Sequence, residues 1–160
     1  MNHKQPFDRS IVIQLLVAAL VLGTVFFASY KPLLLKLGPQ PIDTLIVKET
    51  YVYFGIDSDS LSIESYPVLK AIGSDTNRVG VLKVIANADS TGTKEHNLAL
   101  SKKRAWVVTA TLVEFGVKPD SIATLGLGDF KPLSTNTTEQ GRQLNRSAIV
   151  RYTIKERIFK

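Results

Sequence analysis

The sequence predicts an α+β domain with the element order β-α-β-α-β-α-β, its helices packed on a mixed four-stranded sheet, and one transmembrane helix before it. Three observations predict this fold. Runs rich in β-branched and aromatic residues alternate with segments of helical periodicity over the last two-thirds of the chain. Glycine- and proline-containing stretches separate these segments. A long apolar run comes before all of them.

The apolar run carries no charged side chain over residues 11–30. About 20 such residues cross the bilayer core as a helix, so this run is predicted to be a transmembrane anchor. A cleaved signal peptide is the alternative. It is disfavoured because Phe26 or Phe27 would stand where the peptidase prefers a small residue. Residues 1–10 are predicted to be a cytoplasmic tail, although two basic residues on each side of the run leave the orientation undecided by charge.

A short linker is predicted at residues 31–44, which hold three prolines, and the folded domain at residues 45–160. Strands are predicted at 45–54, 79–86, 121–127 and 147–154, and helices at 60–72, 95–115 and 138–144. In the longest helix, the apolar residues that share one face are Leu98, Ala105, Val108, Leu112 and Phe115.

Composition excludes several classes of function. The net charge is +6, and no basic stripe with interleaved aromatic residues predicts nucleic-acid binding. The absence of cysteine excludes disulfides and a lipoprotein anchor. Outside the tail the only histidine is His96, and no phosphate-binding loop or nucleophile motif is present. An enzyme, a cofactor and a metal site are therefore not predicted.

An anionic and a cationic side chain stand fifteen positions apart, Asp89 in a polar turn and Arg104 on the longest helix. Asp89 can accept an ammonium, and the planar guanidinium of Arg104 can donate two parallel hydrogen bonds to a carboxylate. Together they can hold a zwitterion. Two other interpretations stand beside this one: Asp89 as an Asx-turn residue, and Arg104 as a solvated helix residue.

Asp89 and Arg104 can hold one small ligand only if their side chains lie close together. If the helix began at Thr93, Arg104 would lie about 16 Å further along its axis, too far to share a small ligand with Asp89. We therefore expect residues 90–95 to fold back and the helix to begin near Asn97. Helical side chains lean towards the N-terminus, which helps the guanidinium to reach back.

Further motifs surround this pair in a fixed order, and they are Tyr53-Phe54 with Asp57, Asp89-x-x-Gly92, Asn97-x-x-Leu100-Ser101-x-x-Arg104-Ala105, Gly126-x-Gly128-Asp129 with Pro132, Asn136-x-Thr138-x-x-Gly141-Arg142, and Asn145-Arg146. With these motifs, roughly residues 50–155 resemble the OmpA-like peptidoglycan-binding domain family. This domain is shared by outer-membrane, lipoprotein and flagellar-stator proteins.

The resemblance implies non-covalent binding of peptidoglycan through the zwitterionic end of diaminopimelate in its stem peptides. By matching positions, Asp89 and Arg104 are implied to hold that end. The other residues implied to line the pocket are Asn97, Arg146, Asp57, Thr91 and Gly92. The resemblance also implies a single-pass protein of the bacterial inner membrane, whose periplasmic domain links an envelope assembly to the cell wall.

The chain departs from the family pattern at two places. Ala86-Asn87-Ala88 stands where the family usually has Gly-His-Thr, and Ser147 replaces an arginine, which we expect to remove a charge near the rim of the pocket.

A MotB-like stator subunit of an ion-driven motor is the alternative function. The predicted membrane span holds no acidic residue, however, and Asp8 lies only at its edge. Ala19-x-x-x-Gly23 is a spacing that permits close packing of two helices, so a homodimer is also considered.

Overall fold

The computed structural model describes residues 9–38 and 40–159. The chain divides into two compact units, one formed by residues 43–156 and the other by the residues up to 42 together with those from 157 onwards. The elements in chain order are α1 (Arg9–Leu37), β1 (Pro41–Tyr53), α2 (Ser65–Ser74), β2 (Arg78–Ala86), α3 (Lys94–Glu114), a 3-10 turn (Pro119–Ser121), β3 (Ile122–Gly126), α4 (Glu139–Asn145) and β4 (Ser147–Phe159).

The N-terminal helix α1 is 29 residues long and exposes large apolar side chains such as Leu20 and Phe27. Among the residues that the structure describes, no helix combines the length and the apolarity that crossing a membrane requires. The anchor at residues 11–30 and the cytoplasmic tail therefore stay predictions. Residues 1–8, including Asp8, lie outside the described part of the chain.

The predicted linker, residues 31–44, is mostly regular in the structure. α1 continues through Leu37 even though it contains Pro32, and β1 begins at Pro41. Leucine and lysine are strong helix formers, which favours helix over this stretch despite the proline. A proline is tolerated at the first position of a strand, where its missing N–H breaks no ladder bond.

The four strands form one sheet in the order β1-β4-β2-β3. β2 pairs in parallel with β3, from Leu82 opposite Ile122 to Ala86 opposite Gly126. On its other side β2 pairs antiparallel with β4. The mixed four-stranded sheet and the predicted order of elements are thus confirmed. Because β2 and β3 are parallel, α3 forms the crossover between them and runs back along the sheet.

The longest helix begins earlier than predicted. Thr93 caps α3, its hydroxyl accepting a hydrogen bond from the His96 N–H at 3.2 Å, so the helix starts at Lys94 and not near Asn97. The helix ends before Gly116, whose φ of 96° is the left-handed conformation that ends helices. A Cβ on Gly126 would lie 2.4 Å from the Lys102 nitrogen, so this glycine lets α3 approach β3 closely.

The hydrophobic core fills the space between the sheet and the helices. Its members from the strands include Val52, Leu82, Val84 and Val150, and its members from the helices include Leu69, Ile72, Ala105, Val108 and Leu112. Three of the five residues predicted to share the inner face of α3 are fully buried here, namely Ala105, Val108 and Leu112.

Candidate functional site

A small cavity opens where β1 and β2 end and where α3 begins. Its volume is about 170 Å³. Its lining comprises Ile56, Asp57, Asp89, Thr91, Gly92, His96, Asn97, Leu100, Arg104 and Arg146. All seven residues that the sequence singled out for binding therefore lie around one cavity, whereas their role in binding stays a prediction.

Arg104 is the largest fully buried side chain of the domain, with no exposed surface. Its guanidinium donates three hydrogen bonds to backbone carbonyls: from Nε to Ser58 at 2.8 Å, from Nη1 to Asn87 at 3.0 Å and from Nη2 to Gly55 at 3.0 Å. The guanidinium also lies over the Phe54 ring, 5.1 Å from its centroid. The solvated role considered for Arg104 is therefore wrong.

These bonds explain how Arg104 reaches the cavity from a helix that begins at Lys94. Its side chain extends towards the helix N-terminus, to carbonyls in the loop after β1 and directly after β2. An arginine carries five N–H donors, so three bonds leave two N–H groups, one on each terminal nitrogen. Two such groups form the fork that binds a carboxylate.

The charge of Arg104 is maintained despite this burial. Burial lowers the pKa of Arg104 to about 10, while the negative charge of Asp89 acts in the opposite direction. A guanidinium with this pKa is still cationic at neutral pH. The negative charge of Asp89 therefore helps to keep Arg104 in its charged form.

Asp89 is buried and holds two contacts of its own. Its Oδ2 accepts a hydrogen bond from Arg146 Nη1 at 2.8 Å, and its Oδ1 accepts one from the Thr91 N–H at 2.9 Å. The latter contact confirms the Asx-turn considered for Asp89. Burial alone raises the pKa of Asp89, but the bonds from Arg146 and Thr91 outweigh it, and the pKa lies below its usual value.

Arg146 connects Asp89 to α4, because its Nη2 donates to Glu139 Oε1 at 2.8 Å. Burial disfavours its charged form, yet the hydrogen bonds to Asp89 and Glu139 raise the pKa of Arg146 above its usual value. Arg146 is thus a fixed cation beside the carboxylate of Asp89. The sequence placed it in the pocket, and its role as the partner of Asp89 was not predicted.

Buried polar atoms without a hydrogen-bond partner cluster around this cavity. The amide nitrogen of Asn97 is buried and unpaired, and so are Asn87 Oδ1 and Arg146 Nε. An unpaired buried donor costs free energy, so such groups are rare unless a ligand or a water completes them. Asn97 itself lines the cavity.

The rim carries a contact that the sequence did not predict. His96 Nε2 and Asp57 Oδ1 lie 2.6 Å apart, and both side chains are mostly exposed. Asp57 has a φ of 48°, a left-handed conformation that aspartate tolerates better than most residues. In the sequence, His96 stood out only as the single histidine outside the tail, and nothing in its spacing pointed to Asp57.

The two departures from the family pattern lie at different places in the structure. Ser147 is fully buried at the start of β4 and donates to the Leu144 carbonyl at 2.8 Å. It is absent from the cavity lining, and the loss of a charge near the rim stays a prediction. Asn87, in contrast, lies beneath the site, where its carbonyl accepts a bond from Arg104.

The described residues, 9–38 and 40–159, contain no cluster of three or more His, Cys, Asp or Glu that could hold a metal ion. The cavity offers instead two cations, two carboxylates and an unpaired amide donor. Such a set suits a small ligand that carries both charges.

The fold and the cavity together define a class of protein, an α+β domain with a charged pocket at the end of a mixed sheet. The sequence model of the OmpA family matches residues 53–146, and the chain belongs to this family.

Three relatives each match more than half of the chain. Outer membrane protein A of Bordetella avium is 34% identical over 113 residues, which are 69% of this chain and 58% of that protein. Peptidoglycan-associated lipoprotein of Pasteurella multocida is 31% identical over 117 residues, covering 72% of this chain and 78% of that protein. Peptidoglycan-binding protein ArfA of Mycobacterium tuberculosis is 37% identical over 97 residues, 59% of this chain, and the match spans only 30% of its length.

Solved structures agree on the fold. The peptidoglycan-associated lipoprotein from Burkholderia pseudomallei superposes with a TM-score of 0.57 at 30% identity, covering 66% of this chain and 89% of that one. The cell wall anchor of the T6SS from Pseudomonas aeruginosa gives a TM-score of 0.58 at 21% identity, covering 81% and 93% of the two chains. At that lower identity the likeness concerns the fold alone.

Proposed function

We propose that this chain binds peptidoglycan non-covalently and that Asp89 and Arg104 hold the zwitterionic end of diaminopimelate. The observation that carries the proposal is a cavity lined both by a buried guanidinium, which keeps two N–H donors unused, and by a buried carboxylate. The names of two kinds of relative, a peptidoglycan-binding protein and peptidoglycan-associated lipoproteins, support the same ligand.

The carboxylate of the ligand would bind at Arg104. The three carbonyl contacts fix the plane of the guanidinium, so little rotational freedom is lost when a ligand arrives. The unpaired amide nitrogen of Asn97 is a further donor on the same lining. A ligand oxygen that accepts from it would remove the desolvation cost of an unpaired buried donor.

The ammonium of the ligand would bind at Asp89. Each of its oxygens accepts one hydrogen bond in the structure and keeps capacity for another. Its lowered pKa keeps it ionised, and Arg146 and Thr91 hold its orientation. Asp57 at the rim offers a second carboxylate, and Gly92, with a φ of 92°, shapes the loop without a side chain.

The test compares two ligands that differ only at the proposed contact. A tripeptide ending in diaminopimelate and the same tripeptide ending in lysine are titrated into the full chain in detergent. Lysine lacks the distal carboxylate, so it should bind at least about tenfold more weakly, the change that loss of one charged contact produces. Equal affinities would contradict the proposal.

Two variants refine this test. Arg104→Lys keeps the charge but removes the fork that would bind the distal carboxylate, so it should lose the preference for diaminopimelate. Asp89→Asn keeps the shape but removes the charge that would bind the ammonium, which both tripeptides carry, so it should weaken the binding of both. Asp120→Asn is the matched control, since Asp120 is exposed on the 3-10 turn and lies outside the cavity. An unchanged preference in Arg104→Lys, or unchanged affinities in Asp89→Asn, would argue against that residue as a contact.

We also propose that the apolar run at residues 11–30 anchors the domain to the inner membrane, with the domain in the periplasm. The absence of charge in this run supports the anchor, and the envelope proteins among the relatives support the compartment. The domain would then link a membrane assembly to the wall, and the spacing Ala19-x-x-x-Gly23 would let two copies of the helix pack as a homodimer. Carbonate extraction and protease digestion of spheroplasts test this location. Release by carbonate, or protection of the domain from external protease, would contradict it.

A further inference from the structure

The proposed pocket continues into a groove along α3. Beyond the pocket lies a second hollow, lined by Asp57, Asp59, His96, Ala99, Leu100 and Lys103. It shares Asp57, His96 and Leu100 with the pocket. A third hollow, here called the distal groove, is lined by Asp59, Lys102, Lys103, Trp106 and Val107, and it shares Asp59 and Lys103 with the second.

The continuity follows from helical spacing. His96, Lys103 and Trp106 stand at positions i, i+7 and i+10 of α3, and they therefore lie along one side of the helix. From His96 to Trp106 the helix rises about 15 Å. A ligand that enters the pocket at one end can thus extend past Lys103 to the indole.

The distal groove exposes groups that a folded domain usually covers or pairs. Trp106 is 67% exposed, and it is the single tryptophan of the chain. Lys102 and Lys103 beside it are exposed, and neither forms an ion pair with any residue in the described part of the chain. Two ammonium groups against the one carboxylate of Asp59 leave the groove with net positive charge.

We propose that the distal groove is a second subsite, which takes the part of a peptidoglycan glycopeptide that precedes the residue held in the pocket. Lys103 would bind a free carboxylate of the peptide, and the face of Trp106 would pack against the sugar ring. This inference rests on the proposed function, because it needs the peptide end to lie at Asp89 and Arg104.

Dimensions and charge support this occupant. Each extended residue spans about 3.3–3.6 Å, so two residues and a short ether link place a sugar on the order of 10 Å from the residue in the pocket. The helix rises about 15 Å from His96 to Trp106, so the sugar and not the peptide would lie next to the indole. Aromatic faces provide large contact area at little conformational cost, and stem peptides carry carboxylates that suit a cationic groove.

Tryptophan fluorescence tests the contact directly, because Trp106 is the only source of indole emission. The full chain in detergent is titrated with the diaminopimelate tripeptide and with the same tripeptide attached to its disaccharide. The disaccharide-tripeptide should shift the emission to the blue, since it covers an exposed ring, and the bare tripeptide should not. Binding of the disaccharide-tripeptide without any change in emission would overturn the proposal.

Affinities measured by calorimetry give the second readout. Trp106→Ala should weaken binding of the disaccharide-tripeptide about five- to tenfold and leave the affinity for the bare tripeptide unchanged. Lys103→Gln should weaken the binding of both the bare tripeptide and the disaccharide-tripeptide, because both carry the free carboxylate of the peptide. Tyr66→Ala, an exposed aromatic residue on α2 outside all three hollows, and Lys118→Gln, an exposed lysine after α3, are the matched controls.

The failures of the two proposals can be told apart. If both ligands bind wild type and Trp106→Ala equally, the second subsite is refuted while the pocket stands. If neither ligand binds, or binding survives Arg104→Lys unchanged, the proposed function fails and the second subsite falls with it.

Discussion

The buried face of α3 has two halves with different chemistry. Its C-terminal half presents Ala105, Val108 and Leu112 to the hydrophobic core. Its N-terminal half presents Asn97, Ser101 and Arg104, which are buried just as completely. One helix therefore contributes to an apolar core with one half and to a polar cavity with the other.

The two halves are stabilised in different ways. The apolar half gains free energy because its side chains leave water and pack closely. The polar half must replace the water that it loses with specific hydrogen bonds, as when Ser101 accepts from the Gly128 N–H at 2.7 Å. These bonds fix the positions of the donors around the cavity. The polar half therefore stabilises the loops that it contacts and also orients hydrogen-bond donors towards a ligand.

Arg104→Ala should have the largest effect on stability. It leaves three backbone carbonyls, those of Gly55, Ser58 and Asn87, without their donor. We expect a loss of about 3–5 kcal/mol in the free energy of unfolding, together with loss of ligand binding. Denaturant unfolding of the full chain and titration with the diaminopimelate tripeptide measure the two effects.

Leu112→Ala is the counterpart in the apolar half. Leu112 is fully buried, so its truncation should cost about 2–5 kcal/mol through lost transfer energy and a cavity. Because Leu112 lies two turns beyond Arg104, the folded variant should bind the ligand with unchanged affinity. Weak binding by folded Leu112→Ala would show that the two halves do not act separately.

Gly126→Ala tests the contact between α3 and β3 at the boundary of the two halves. The new Cβ would meet the Lys102 backbone at 2.4 Å, and α3 would have to move away from the sheet. We expect a loss of about 1–3 kcal/mol. Gly55→Ala is the control, since its Cβ would lie an ordinary 3.6 Å from Ser58. Equal stability of the two variants would contradict this role for Gly126.

The difference between the halves also explains what the sequence could predict. Ala105, Val108 and Leu112 follow the helical period, so the apolar half was assigned from spacing alone. Arg104 and Asn97 occupy the same face, yet the helical period gives no sign that polar residues there are buried, and a solvated role was considered for Arg104. They could be placed in a pocket only because several motifs in fixed order resemble a known family.

Other features depended on contacts between distant segments. The pair of Asp89 and Arg146 joins residues 57 positions apart, and no local pattern reports it. We expected α3 to begin near Asn97, because an earlier start places the Arg104 backbone far from Asp89. In the structure α3 does begin earlier, and the long side chain of Arg104 reaches back to the cavity. The strands and helices of the sheet were predictable because each has its own local period and its own turn residues.

As the pH falls, the polar half should lose its contribution to stability before the apolar half does. The folded pKa of Asp89 is lowered, so its contribution to stability is complete above its unfolded pKa of about 3.9 and is lost as the pH falls through the folded pKa. Asp89→Asn should therefore reduce stability by about 1.5 kcal/mol at pH 7 and flatten its fall below pH 4. Urea unfolding between pH 2 and pH 7 measures this, with Asp120→Asn as control. An unchanged acid profile would show that the pair with Arg146 adds nothing to folding.

Thr93→Ala should have the smallest effect and should act mainly on the polar half. Its hydroxyl caps α3 by accepting from His96, and loss of a cap costs about 1 kcal/mol. Fraying of the first turn would move His96 and Asn97 at the cavity, so ligand affinity should fall along with stability. Thr138→Ala removes the corresponding cap of α4, where the hydroxyl accepts from Gly141, and provides the comparison. If the two variants lose the same stability but only Thr93→Ala loses affinity, the first turn of α3 belongs to the binding site and not merely to the helix.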